Sequence, residues 1–202
     1  MVESAHREGG RRSGRPIRDR RQSEPGAAPR AHRSIGSSLF CGGLAGAFGT
    51  AAMDTLLYVR YRRGGGTQGP LEWEFSAAVD KWEDVSAPGL VGKRVIEEVL
   101  GHDVPDRWAR STQNLVHWAT GMGWGAPFGA VVGSAKRQSW AWGLDLGPIV
   151  WLAGYVILPA AKIYKPIWDY DARTLAKDLS AHLVYGVTTG TVFATVASRL
   201  IS

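Results

Sequence analysis

Gly42-Gly43-Leu44-Ala45-Gly46-Ala47-Phe48-Gly49-Thr50-Ala51-Ala52-Met53-Asp54 closes a run of 20 residues after Arg33 in which no charge precedes Asp54. A helix needs ~20 mostly apolar residues to cross the hydrocarbon core of a bilayer. Three further windows have the same character: 25 uncharged residues between Arg110 and Lys136, 16 between Asp145 and Lys162, and 20 between Asp178 and Arg199. Together they predict an all-α, polytopic membrane bundle of four transmembrane helices, with spans near 36–59, 113–134, 141–161 and 179–199. A soluble helical bundle would show a charged outer face, and these windows have none. Tyr58, Tyr61, Trp108, Trp118, Trp140, Trp142, Tyr164, Trp168 and Tyr170 fall at or near the window ends. Rings with one wet and one apolar edge favour that depth.

The mean hydropathy of the chain is slightly negative. The membrane reading therefore rests on distribution: nine Arg lie between Arg7 and Arg33, and the remainder of the chain is close to neutral. The basic character belongs to a tail and does not form a face that could track nucleic acid. Residues 1–34, rich in Arg, Ser, Gly and Pro, have too few large apolar side chains to offset chain entropy and are expected to be disordered. The pairs Arg11-Arg12 and Arg20-Arg21 resemble twin-arginine signals, but no apolar run follows promptly. Such a tail also fits a start codon set too far upstream. Cys41 is the single cysteine, so neither an intrachain disulfide nor a CxxC metal or redox pair is available.

Residues 35–202 form the expected membrane domain, with 60–112 as its one sizeable loop. Gly64-Gly65-Gly66 breaks the first helix. Leu71, Phe75, Ala78 and Trp82 follow helical spacing, and a second loop helix is expected from Pro88 to Gly101, capped by Ser86. These helices are read as packing on one end of the bundle. Lys and Arg balance at 12 on each side of the membrane. The first helix, preceded by many Arg, places both termini in the cytoplasm and the chain in the inner or plasma membrane.

Two ladders repeat the device of Gly42 and Gly46. His117, Gly121, Gly125, Gly129 and Gly133 follow one another at four-residue spacing, as do His182, Gly186, Gly190, Ala194 and Ser198. Phe128 and Phe193, and Val131 and Val196, also match at an offset of 65. This is the pattern of a duplicated helix type. Because lipid already solvates leucine, membrane helices associate through close packing of small residues. The ladders are thus read as intrachain packing surfaces, and the same ridge also suits a homo-oligomer interface.

Asp54 near the end of the first span, and His117 and His182 near the starts of the second and fourth, share one depth on one side of the membrane. Asp145 falls on the other. A charge within a span costs about 3 kcal/mol on insertion scales and normally faces a partner or a cavity. The packing pattern by itself points to a structural or stress-related membrane protein, the preferred reading; the alternative is a small transporter, channel or proton-handling protein in which Asp54, His117 and His182 are the candidates for proton or ion handling. Nothing in the sequence demands a metal or another cofactor. Phosphate loops, HExxH and GxSxG motifs are missing, so no catalytic residue and no enzymatic turnover are expected. Pro127 and Pro148 are candidate kinks.

The segments Gly43 to Asp54 and His182-Leu183-Val184-Tyr185-Gly186-Val187-Thr188-Thr189-Gly190 resemble those of small actinobacterial integral-membrane proteins of unknown function. The middle glycine ladder and the approach from Trp168-Asp169 to Leu179 fit the same pattern. There is a fainter likeness to the YagU-like inner-membrane family, associated with acid resistance. The resemblance covers roughly residues 40 to 199. It implies an integral membrane protein and brings no settled biochemical activity. Relatives of this kind commonly carry Asn where Asp54 stands, so the resemblance does not make a carboxylate essential.

Overall fold

The computed structural model describes residues 34–135 and 139–199. The expected disordered tail, and the Lys136 and Arg137 used in weighing orientation, lie outside the described residues. So does the side chain of Ser198. Among the described residues the chain is all helical. Six α-helices follow in order: α1 (Ile35–Arg63), α2 (Pro70–Glu74), α3 (Ala87–Leu100), α4 (Ala109–Gly133), α5 (Gly143–Ala160) and α6 (Ala172–Arg199), with short 3-10 turns between several of them.

Three segments are long and apolar enough to cross a membrane: Ile35–Arg63, Trp140–Ala160 and Ala172–Val196. At 25 residues and ~1.5 Å per residue, α4 is roughly 37 Å long. It is less apolar, because its first turns carry Arg110, Gln113, Asn114 and His117.

The long helices turn inside out the pattern of a water-soluble protein. On α1 the buried positions are Ser38, Cys41, Gly42, Gly43, Ala45, Gly46, Gly49, Thr50 and Asp54, whereas Phe40 and Phe48 are 67% and 60% exposed. Leu115, Val131, Ile149, Leu152, Val156 and Ile157 also face outward. Small residues inside and large apolar residues outside are what a lipid solvent favours, since burying leucine gains little there and backbone proximity gains more.

The helices lie in the order α4, α1, α6, α5, with α1 packed on both α4 and α6, and α5 packed on α6. At the α1–α4 contact the two backbones touch. A methyl group built on Gly42 would lie 2.8 Å from the Cα of Gly129, and one on Gly46 would lie 3.1 Å from the Cα of Gly125. One on Gly121 would lie 3.2 Å from the Cβ of Thr50. Each four-residue step along α1 is matched by a four-residue step back along α4.

The same geometry recurs between α5 and α6. A methyl on Gly190 would meet the Cα of Gly143 at 3.0 Å, and one on Gly186 the Cα of Gly147 at 2.9 Å. The duplicated ladder thus belongs to two helical hairpins, α1 with α4 and α5 with α6. The connection inside the first hairpin is much longer, which explains why its first helix does not align at the offset of 65. The hairpins join through α1 and α6, where Gly49 sits against Thr189 and the Tyr185 carbonyl. Phe128 and Phe193 meet edge-on at 6.0 Å within a small cluster with Cys41, Ala45 and Val132.

Several boundaries differ from expectation. The fourth predicted span opens earlier: α6 starts at Ala172, where Asp171 accepts from the Thr174 N–H at 2.9 Å, a capping bond that begins the helix one turn and more before the uncharged window. Likewise α4 begins at Ala109 and not near 113. The expected loop helix over 71–82 is shorter, because α2 ends at Glu74 and Ser76 takes a left-handed φ of 53°. The carbonyls freed there are taken by α4 side chains: Asn114 donates to Phe75 O at 3.0 Å, and Arg110 donates to Ala77 O at 2.7 Å and Val79 O at 3.2 Å. Ser86 does stand at the start of α3, but its side chain makes no capping bond there; it accepts from Gln113 Nε2 at 2.6 Å. The loop has its own apolar centre in Trp82, Val104 and Ala109, with the Trp82 indole donating to Val104 O at 2.8 Å.

Gly125→Leu should separate α1 from α4 and destabilise the protein by about 2 kcal/mol or more. Gly123→Leu, on the same helix but with nothing within 4 Å of the added carbon, should leave stability nearly unchanged. Thermal unfolding in detergent compares the two; equal melting temperatures would reject backbone contact as the basis of the pairing.

Candidate functional site

The α1–α4 ladder determines who meets Asp54. Rungs at Gly42 with Gly129, Gly46 with Gly125 and Thr50 with Gly121 lead, one step further, to Asp54 and His117. The imidazole Nε2 lies 2.8 Å from Asp54 Oδ2. Asp54 is buried, with a side chain 5% exposed, and that of His117 is 22% exposed. A buried carboxylate needs a partner, since its desolvation would otherwise cost several kcal/mol.

A third ionisable group joins them. One ligand atom from each of Asp54, Glu74 and His117 can be chosen so that all lie within 4.8 Å of one another. Burial, and after it the neighbouring Asp54 carboxylate, push the Glu74 carboxyl above its ordinary range, while His117 pulls it back. One oxygen of Glu74, Oε1, is buried without a hydrogen-bond partner.

Glu74 is held there by the loop. Tyr58 and Tyr61 at the end of α1 pack on Trp73, with ring centroids 5.6 and 6.1 Å away. The Tyr61 hydroxyl accepts from the Thr67 and Gln68 N–H groups at 3.0 and 3.1 Å, and the Tyr58 hydroxyl donates to Gln68 O at 3.1 Å. Behind Glu74, Asn114 secures Phe75. Further along the loop, Gln113 Oε1 accepts from the Ser86 and Gly89 N–H groups. The loop is thus fastened to α1 on one side of Glu74 and to α4 on the other.

The three groups stand at a cleft of ≈ 370 Å³, also lined by Gln68, Ser76, Asp84, Gln113 and Asn114. Its lining carries three carboxylates and one imidazole but no Lys or Arg. Such a surface attracts cations or holds protons.

His182 is placed elsewhere. Its Nδ1 is 3.0 Å from the Asp178 carbonyl and 3.5 Å from the Asp178 carboxylate, within its own helix. The hairpin repeat gives the reason. In α5 the rung after Gly147 is Trp151, where α1 has Asp54. The second hairpin therefore keeps the histidine and lacks the facing carboxylate. The structure brings together Asp54 and His117 of the three sequence candidates, and adds Glu74, which no sequence motif singled out. The glycines of the candidate packing set face inward: Gly42, Gly46, Gly121, Gly125 and Gly129 at the α1–α4 contact, Gly133 against Ser38, and Gly186 and Gly190 against α5.

No protein-family model matches the chain, and neither a curated protein nor a solved structure does.

His117→Ala removes the partner of a buried carboxylate and should destabilise the protein by about 3 kcal/mol. Asp54→Asn keeps a group that can hydrogen-bond and should cost about 1 kcal/mol. The double variant should be less impaired than the sum of the two. Chemical unfolding of all four forms measures the coupling, and strict additivity would mean the pair does not interact.

Proposed function

We propose that the chain is an integral membrane protein that handles protons or small cations at Asp54, His117 and Glu74, without catalytic turnover. In this reading α4 is the fourth span, its polar first turns lying at the membrane surface under the loop, and glycine-zipper packing holds each hairpin together. The protein sits in the inner or plasma membrane with both termini in the cytoplasm. The likeness to small actinobacterial membrane proteins agrees with this setting.

One observation carries the reading: a buried carboxylate and an imidazole 2.8 Å apart stand at a cleft whose lining has no Lys or Arg. A proton can pass between Nε2 and Oδ2 at hydrogen-bond distance. Glu74 supplies a second carboxyl beside the pair. Three groups that each exist with or without a proton can exchange protons with water in the cleft, and Gln113 and Asn114 offer polar contacts there. A purely structural role is the second reading, favoured by the backbone contact of both hairpins.

Proteoliposomes loaded with a pH-sensitive dye separate the two. The wild-type chain should collapse an imposed pH gradient, and His117→Ala and Asp54→Asn should slow that collapse by about tenfold or more. His182→Ala should leave it unchanged. A wild-type protein that is folded, inserted and silent would leave the structural reading alone.

A further inference from the structure

We infer that the Asp54–Glu74–His117 cluster is a binding site for one divalent transition-metal ion of the zinc, cobalt or manganese kind. The inference names the ion for the cleft described above and rests on that cleft being the working site of the chain.

Donor chemistry comes first. The cluster offers one imidazole nitrogen and two carboxylates, all within 4.8 Å of one another. Imidazole with carboxylate suits zinc and its neighbours, whereas magnesium and calcium prefer oxygen alone. Two ligands ~2.1 Å from a tetrahedral ion stand roughly 3.4 Å apart. The His117–Asp54 separation of 2.8 Å has to open by about half an ångström, and the Glu74 carboxylate has to draw in. Side-chain rotation supplies both, because the backbones that carry them are fixed by the ladder and by the loop fastenings.

A second observation concerns one oxygen of a donor. Glu74 is half-buried, and its Oε1 is buried with no hydrogen-bond partner, whereas the neighbouring Phe75, Ala77 and Val79 carbonyls and the Ser86 and Gly89 N–H groups are all hydrogen-bonded to α4 side chains. A buried acceptor left without a donor is costly, and a cation at the cluster would satisfy it.

Charge gives a third reason. Asp54, Glu74 and Asp84 line the cleft with His117 as its single basic side chain. A divalent ion would neutralise the neighbouring Asp54 and Glu74 carboxylates. Three protein ligands leave a coordination position for water or another molecule entering from the cleft, the arrangement of an open rather than a closed metal site.

The test uses the full chain, free of any affinity tag, in detergent and stripped with EDTA. Zn²⁺ is titrated by calorimetry and Co²⁺ by its visible absorption. One ion per chain is expected, with the intense d–d bands of a low-coordinate nitrogen-and-oxygen site. Asp54→Asn, Glu74→Gln and His117→Ala should each weaken binding by about tenfold or more, while His182→Ala should not. Zn²⁺ should raise the melting temperature of the wild type and not of Glu74→Gln, whose helical content checks its fold. Absence of saturable binding overturns the inference, as does binding that survives all three substitutions together. Proton flux in the metal-free protein keeps the outcomes apart: flux without binding removes the metal site and leaves the proton reading, and binding without flux does the reverse.

Discussion

Contact between the α1 and α4 backbones is the constraint on which the rest of this structure depends. It needs glycine on both helices, since a single methyl at Gly42 or Gly125 would sit within 3 Å of the opposite chain. Once the helices touch in that register, every rung is determined, and the one beyond Thr50 and Gly121 places a carboxylate against an imidazole. The polar pair is therefore a consequence of apolar packing. The favourable terms are dispersion and close backbone approach; the unfavourable one is the desolvation of Asp54, offset by His117.

The two hairpins show what one duplicated device can do in different surroundings. The glycine contacts of α5 with α6 repeat those of α1 with α4 almost position for position. Chemistry does not repeat with them. Trp151 occupies the rung that Asp54 occupies in the first hairpin, and His182 turns to Asp178 instead. The long connection in the first hairpin, closed over α4, brings in Glu74, while the short connection between α5 and α6 contributes Tyr164 and Tyr170, which pack against Tyr155. Burial and the nearby Asp178 push the Tyr164 hydroxyl above its ordinary range, so this second end is suited to aromatic packing more than to ionic exchange. The first hairpin is the polar one because of its loop.

How the loop is fastened matters as much as the ladder. Its helices are short, and its small core of Trp82, Val104 and Ala109 would be marginal alone. Stability comes from side chains of α4 reaching into it: Arg110, Gln113 and Asn114 each satisfy loop backbone or side-chain groups. The same residues make α4 less apolar than the other long helices. One set of side chains thus lowers the hydropathy of α4 and positions Glu74 over the site.

The sequence by itself determined the helical class and marked four uncharged stretches, three of which fold as helices long and apolar enough to cross a membrane, while the fourth, α4, is less apolar; it also marked the small-residue face of these helices. Uncharged length and four-residue spacing are local properties, and they are enough for these conclusions. Tertiary structure decided the rest. His182 has the same spacing as His117 and could not be told apart from it until its facing residue was known, because the distinction lies on α5. Glu74 lies 43 residues before His117, and only the folding back of the loop, held by Tyr61 and Asn114, puts its carboxyl beside Asp54. Helix ends moved for similar reasons: α2 stops where α4 takes over its carbonyls, and α6 starts early where Asp171 caps it. A linear pattern can show which face of a helix is small, but which side chains converge depends on the register of contacts between segments far apart in the chain.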